Sequence, residues 1–111
     1  MVGAVAGWEE GTVPSATTAV LKRIRWSADA VRDVEQHVAY IADFNPPAAD
    51  RILRALLAAA NSLITFPNRG RPGSEAGTRE LVIHPPYVIV YETVKDTVVI
   101  LRIWHGAQDR G

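Results

Sequence analysis

The amino-acid sequence predicts an α+β domain: an N-terminal strand, a helical hairpin and then a three-stranded antiparallel meander, with the hairpin packed on one face of the sheet. Three observations predict it. A short alternating segment, "LKRIRW" at 21–26, stands before two consecutive stretches whose apolar residues recur every three or four positions. Three segments rich in β-branched and aromatic residues, "TRELVIH", "YVIVYETV" and "TVVILRIW", follow at 78–84, 87–94 and 97–104. The helical stretches are contiguous and most strands come after them, an order that suits α+β and not the alternation of a parallel α/β sheet.

In the first strand Leu21, Arg23 and Arg25 point one way and Lys22, Ile24 and Trp26 the other, so Ile24 and Trp26 make the apolar face. Ser27 is a natural N-cap and Asp29 favours the first turn of a helix over about 28–44. Val31, Val34, Val38 and Ile41 form its stripe, with Ala30, His37, Tyr40 and Phe44 beside them. "NPP" at 45–47 ends that helix and starts another, because Asn45 can cap and proline is tolerated in a first turn. The second helix runs to about Ile64 on Ala49, Ile52, Leu53, Leu56, Leu57, Ala60 and Leu63, and so tight a connection implies an antiparallel hairpin. "FPNRGRPGSEAG" at 66–77, with its prolines and glycines, reads as an irregular loop. "HPP" at 84–86 forces a turn before Tyr87, and Lys95 and Asp96 join the last two strands as a hairpin.

At 111 residues with 48% hydrophobic and 22% charged side chains, the chain is one globular domain able to bury a core of its own. Residues 1–19 carry no sustained period and read as a flexible N-terminal extension, leaving 20–111 as the domain. The absence of cysteine excludes disulfides and thiolate metal sites and suits a reducing cytoplasm. The opening apolar stretch lacks a basic flank and is interrupted by Glu9 and Glu10, and "ALLAAA" at 55–60 is far too short to span a bilayer, so neither export nor membrane association is expected. Net charge is zero, with the cations weighted toward the second half. That bias is too weak for strong direct binding of nucleic acid but suits an acidic peptide.

The blocks "WSADAVRDVEQHVAYIADFNPPAADRIL", "FPNRGRPG", "GTRELV", "PYVIVY" and "ILRIWHGAQDR" resemble the RelE/ParE superfamily of toxins from bacterial type II toxin–antitoxin modules, most closely the ParE branch. The resemblance covers about residues 21–110 and implies the same hairpin-on-sheet fold. It also implies a hetero-oligomer with an antitoxin encoded alongside, of the ParD kind with a ribbon-helix-helix start. Within the superfamily, RelE-like members cut messenger RNA on the ribosome and ParE-like members poison DNA gyrase. A third expectation is a degenerate, non-toxic member that only binds its antitoxin.

Cleaving RNA requires cations to stabilise a pentacoordinate phosphate and groups that move protons. RelE-like toxins take one such cation from an arginine in a "Tyr-Arg-Leu-Val-Tyr" strand, whereas the matching stretch here is Tyr87-Val88-Ile89-Val90-Tyr91. Losing one preorganised contact of that kind costs roughly a hundred- to a thousandfold in rate. A gyrase-binding toxin is therefore the expectation, and a nuclease would have to use Arg79, Tyr87 and His105 despite Val88.

For partner binding the candidates are Arg69 and Arg71 in the Pro/Gly loop, Arg79 on its strand, and His105, Gln108 and Arg110 in the tail. The competing readings are plain solvation for Arg69 and Arg71, a surface pair with Glu80 or Glu92 for Arg79, and a frayed terminus for the tail. An antitoxin is expected to lay an amphipathic segment in an apolar groove on the hairpin formed by Val31, Val38, Ile52 and Leu56. Tyr87 and Tyr91 share a face with Ile89 and read as packing residues with hydroxyls at the rim. His37 reads as structural, and Asp29 and Asp33 as a solvated helix face. His37, His84 and His105 have no ligand spacing, so no metal or other cofactor is expected.

Overall fold

The computed structural model describes residues 23–83 and 87–106. Strand β1 (Arg23–Trp26) leads into helix α1 (Ala28–Ala42) and helix α2 (Pro46–Thr65), followed by β2 (Arg71–Pro72), β3 (Thr78–Ile83), β4 (Tyr87–Val94) and β5 (Thr97–His105). Both predicted caps form: Ser27 Oγ accepts from the Ala30 amide at 3.0 Å, and Asn45 Oδ1 from that of Ala48 at 3.1 Å. Pro46 and Pro47 occupy the first two positions of α2, where no amide donor is needed. No helix among the described residues is long and apolar enough to cross a membrane.

The strands form one five-stranded sheet in the order β1-β5-β4-β3-β2. The α+β class and the antiparallel β3-β4-β5 meander hold. Two features depart from the sequence expectation. First, β1 runs parallel to β5, pairing Arg23 with Thr97 and Trp26 with Ile100, which makes the sheet mixed and not wholly antiparallel. Parallel pairing needs a long connection, and the helices and meander between the two strands provide it. Second, the Pro/Gly loop contains β2, in which Arg71 and Pro72 pair with Glu80 and Arg79. Proline is tolerated there because β2 is the sheet's outer edge.

Both helices cover one face. Ala30, Ile52, Leu56, Ala59, Ala60 and Leu63 pack onto Leu81, Tyr87, Ile89, Tyr91, Val98, Ile100 and Ile103, with Ile24 and Trp26 at the margin. Ile100 and Ile103 are three residues apart and strict alternation would put them on opposite faces. A β-bulge resolves this: Tyr91 pairs with Ile100 and its neighbour Val90 with Arg102, so Leu101 is the extra residue on β5.

Among the described residues, β5 has no strand on its β1 side beyond Ile100. Helix α1 takes over that edge with side chains. Ser27 donates its amide to Ile100 O at 2.9 Å and its hydroxyl to Leu101 O at 2.8 Å. Asp33 Oδ2 accepts from the Ile103 amide at 2.9 Å, and His37 Nε2 donates to Ile103 O at 2.9 Å. Asp33 is only 8% exposed and also holds Arg102 through Nε at 2.7 Å and Nη2 at 3.1 Å. The hydrogen bond that Arg102 donates to Asp33 is the main reason its guanidinium is held even more firmly in its charged form. Asp33 is thus a buried clamp and not part of a solvated face, whereas Asp29, one turn earlier, is exposed and pairs with Arg32.

Replacing Asp33 with Ala orphans the Ile103 amide and leaves Arg102 unpaired; denaturant unfolding should show a loss of about 2–4 kcal/mol. Asp29→Ala should cost under about 1 kcal/mol in the same measurement.

Candidate functional site

Three regions of the sheet and its loop, together with the helical hairpin, hold the residues singled out by sequence that lie within the described part. The first is the loop after α2. Tyr91, fully buried on β4, donates its hydroxyl to Pro67 O at 2.8 Å and accepts the Gly70 amide at 2.9 Å. Its hydroxyl therefore lies inside the protein, tying the loop down, and not at the rim. Arg79 Nη1 donates to Gly70 O at 2.6 Å and to Asn68 O at 3.4 Å, so it serves the loop's carbonyls rather than Glu80 or Glu92. Arg69 Nη1 reaches back to Ser62 Oγ at 2.7 Å, and Arg71 pairs at 3.1 Å with the buried Glu80. Gly70 is required by close approach: a Cβ there would lie 2.8 Å from the Tyr91 hydroxyl and 2.9 Å from Glu80 O. The loop is a rigid turn that keeps Arg69, Arg71 and the exposed Phe66 on the surface.

The second region is the end of the sheet where β4 begins and β5 finishes. Tyr87 and His105 are cross-strand partners with ring centroids 5.3 Å apart. His37 meets Tyr87 edge-on at 5.3 Å and lies 6.4 Å from His105. Because Ile103 O can only accept, His37 carries its proton on Nε2. Burial raises the Tyr87 phenol above its ordinary value of 10.0, so it stays protonated at neutral pH. Of the nuclease trio Arg79, Tyr87 and His105, the fold joins only the last two. Arg79 pairs with Tyr91, four residues or about 13 Å along β4 from Tyr87.

The third region is the sheet face away from the helices. Val88 pairs with Val82 on one side and Trp104 on the other, an apolar row across β3, β4 and β5. Val88 is 3% exposed, so the place where a phosphate-binding arginine would stand is filled by packed hydrocarbon. In the adjacent row Val90 separates Glu80 from Arg102, whose guanidinium is turned to Asp33.

On the hairpin, Val31 is exposed and Val38 half-buried, but Ile52 and Leu56 belong to the core beneath the helices and offer no surface. The apolar surface left open consists of Val31, Leu57 and the edge-to-face pair Tyr40–Phe44, with centroids 5.2 Å apart. The i,i+4 spacing of Tyr40 and Phe44, off the core stripe of α1, was the signal for this pair. Gln108 and Arg110, like His84 and the 1–19 extension, lie outside the described residues.

With this geometry the chain is similar to known toxins. Residues 24–110 match the family described as the ParE toxin of the type II toxin–antitoxin system, parDE. Toxin RelE2 of Caulobacter vibrioides is 41% identical over 88 residues, which is 79% of this chain and 99% of the relative. Among solved structures, one of the chromosomal ParDE toxin–antitoxin system of P. aeruginosa superposes with a TM-score of 0.72 at 20% identity, covering 78% of this chain and 97% of the other. One of the RelBE2 toxin–antitoxin complex of Mycobacterium tuberculosis superposes with a TM-score of 0.57 at 29% identity, covering 76% and 96%.

Tyr91→Phe removes both bonds that hold the loop; hydrogen exchange at the Gly70 amide should accelerate at least tenfold, with about 1–3 kcal/mol lost from global stability. The raised Tyr87 phenol implies stability that is complete below pH 10 and lost as pH climbs through the folded-state value. An alkaline denaturation series should therefore fall less steeply for Tyr87→Phe than for the unmodified protein.

Proposed function

The chain belongs to the ParE toxin family of type II toxin–antitoxin systems, and from that premise we propose that it arrests growth by gripping DNA gyrase while its DNA is cleaved, and not by cutting RNA. The observation that carries this reading is the Val82–Val88–Trp104 row. Phosphodiester scission needs preorganised cations over the scissile phosphate, and this row provides hydrocarbon. The arginines that could compensate have other partners: Arg79 holds loop carbonyls, Arg71 a buried glutamate and Arg102 a buried aspartate. What remains on the surface, aromatic and aliphatic side chains beside anchored arginines, is the composition of a protein-binding face.

An antitoxin encoded alongside, ParD-like with a ribbon-helix-helix start, is the partner that silences it in a hetero-oligomer. The similarity to the two solved toxin–antitoxin systems supports this partner. Its amphipathic segment would lie on Val31, Leu57, Tyr40 and Phe44, the apolar positions that the hairpin leaves open.

The His37–Tyr87–His105 cluster favours a second reading, ribosome-dependent cleavage of messenger RNA, as does the similarity to a toxin named RelE2. Those rings supply proton-transfer groups but no phosphate clamp among the described residues.

Purified gyrase incubated with the protein and supercoiled DNA should accumulate cleaved DNA in proportion to toxin, and adding antitoxin should abolish it. Normal supercoiling at high toxin excess, together with cleavage of ribosome-bound transcripts that disappears in His105→Ala, would replace the first reading by the second. Unchanged growth on induction without antitoxin would identify a non-toxic member.

A further inference from the structure

The end of the sheet opposite the His37 cluster carries a groove that the preceding reading leaves unused. It has a volume of about 470 Å³ and is lined on its open face by β1, β5 and β4, including Arg23, Arg25, Glu92, Val94, Thr97 and Val99. The register sets these residues out in two rows: Arg23, Thr97 and Val94, then Arg25, Val99 and Glu92. Across three strands the groove is about 10 Å wide, enough for one extended segment. Val99 forms an apolar floor and Val94, 49% exposed, an apolar rim. The cations on the β1 side are poorly engaged. Arg23 stands 3.9 Å from Asp96, with both side chains largely in solvent, and Arg25 meets no carboxylate among the described residues.

We propose that this groove is the seat of the chain's own N-terminal segment, Trp8-Glu9-Glu10. Residues 1–22 lie outside the described part, which begins at Arg23, on the rim of the groove itself. Their only acidic side chains are Glu9 and Glu10, adjacent to each other and preceded by their only aromatic residue, Trp8. Two carboxylates next to an indole complement two under-used guanidinium groups next to exposed valines. The tether fits: residues 11–22 can span up to about 40 Å when extended, several times the width of the groove, and Gly11 and Pro14 allow the chain to double back. So short a linker holds the segment at an effective concentration of about millimolar, so weak contacts suffice to seat it. The family match begins at residue 24, so this strap is an addition to the shared fold.

The chain has no cysteine, so a nitroxide on Val94→Cys marks the rim of the groove uniquely in the full-length protein. Amide signals of a uniformly ¹⁵N-labelled sample should show broadening that falls away from residue 22 and then rises to a second maximum at 8–10, with at least half the intensity lost there. Glu9→Gln with Glu10→Gln, Arg25→Gln, or about 1 M salt should each remove that second maximum. Broadening that decays monotonically from residue 22 would overturn the proposal, because a free tail behaves so. A maximum at 8–10 unchanged in both the Gln and Arg25 variants would also overturn it. Mixing spin-labelled ¹⁴N protein with unlabelled ¹⁵N protein separates the remaining occupant: broadening at 8–10 in the mixture means a second copy supplies the segment, contrary to the proposal, and none means the contact is within one chain.

Discussion

The structure depends on how the exposed edge of β5 is closed. β1 is four residues long and stops at Trp26, opposite Ile100, while β5 continues to His105. An uncovered strand edge is a row of unpaired amides and carbonyls open to aggregation. Ser27, Asp33 and His37 of α1 satisfy that row in succession, so a helix does with side chains what a strand would do with its backbone. A buried ion pair is not in itself a gain in stability, since desolvation offsets its attraction. The contribution of Asp33 lies in giving the Ile103 N–H a buried acceptor, with Arg102 balancing the charge this brings inside. The same contacts set the position of the functional residues, because holding His37 on Ile103 O is what brings its ring to Tyr87 and His105.

A second tie holds the other end of the sheet. Tyr91 sits in the core and reaches out to Pro67 and Gly70, so the loop between α2 and β3 is fastened to the central strand, with Arg79 adding two more bonds. Polar atoms that looked like tools for chemistry are therefore occupied in shaping the backbone. An arginine holding two carbonyls in place is not available to a phosphate unless the loop opens, and opening the loop would orphan the buried Tyr91 hydroxyl as well.

Much of the fold was legible in the sequence because it rests on local rules. The caps at Ser27 and Asn45, the two helical stripes and the β-branched strands follow from nearest neighbours and periodicity. The parallel entry of β1, the two-residue β2 and the burial of Asp33 do not, because each depends on where a distant segment lies. An aspartate at the flank of α1 looks solvated until β1 proves too short to cover β5. Ile100 and Ile103, three residues apart in a strand, were a legible sign of the bulge at Leu101. For the hairpin surface the periodicity of α2 marked Ile52 and Leu56 as apolar without telling whether they face the sheet or a partner, and the sheet claims both.

The two ends of the domain divide the chemistry of the family between them. Proton-handling rings lie at the β4–β5 end beside the helices, while the central row of the open face, Val82, Val88 and Trp104, is hydrocarbon. Cleavage of a phosphodiester needs cation and proton donor over the same phosphate, whereas the row of Arg79 lies about 13 Å along β4 from that of Tyr87 and its guanidinium is held on the carbonyls of Gly70 and Asn68. An apolar row has the opposite virtue: it gains free energy by excluding water against another surface, at about 25 cal/mol per Å² buried, with no demand for sub-ångström placement of charges. Arg71, Arg79 and Arg102 are engaged in the protein's own scaffold while Val82, Tyr40, Phe44 and Phe66 face solvent, which supports the proposal that this toxin acts by holding another macromolecule.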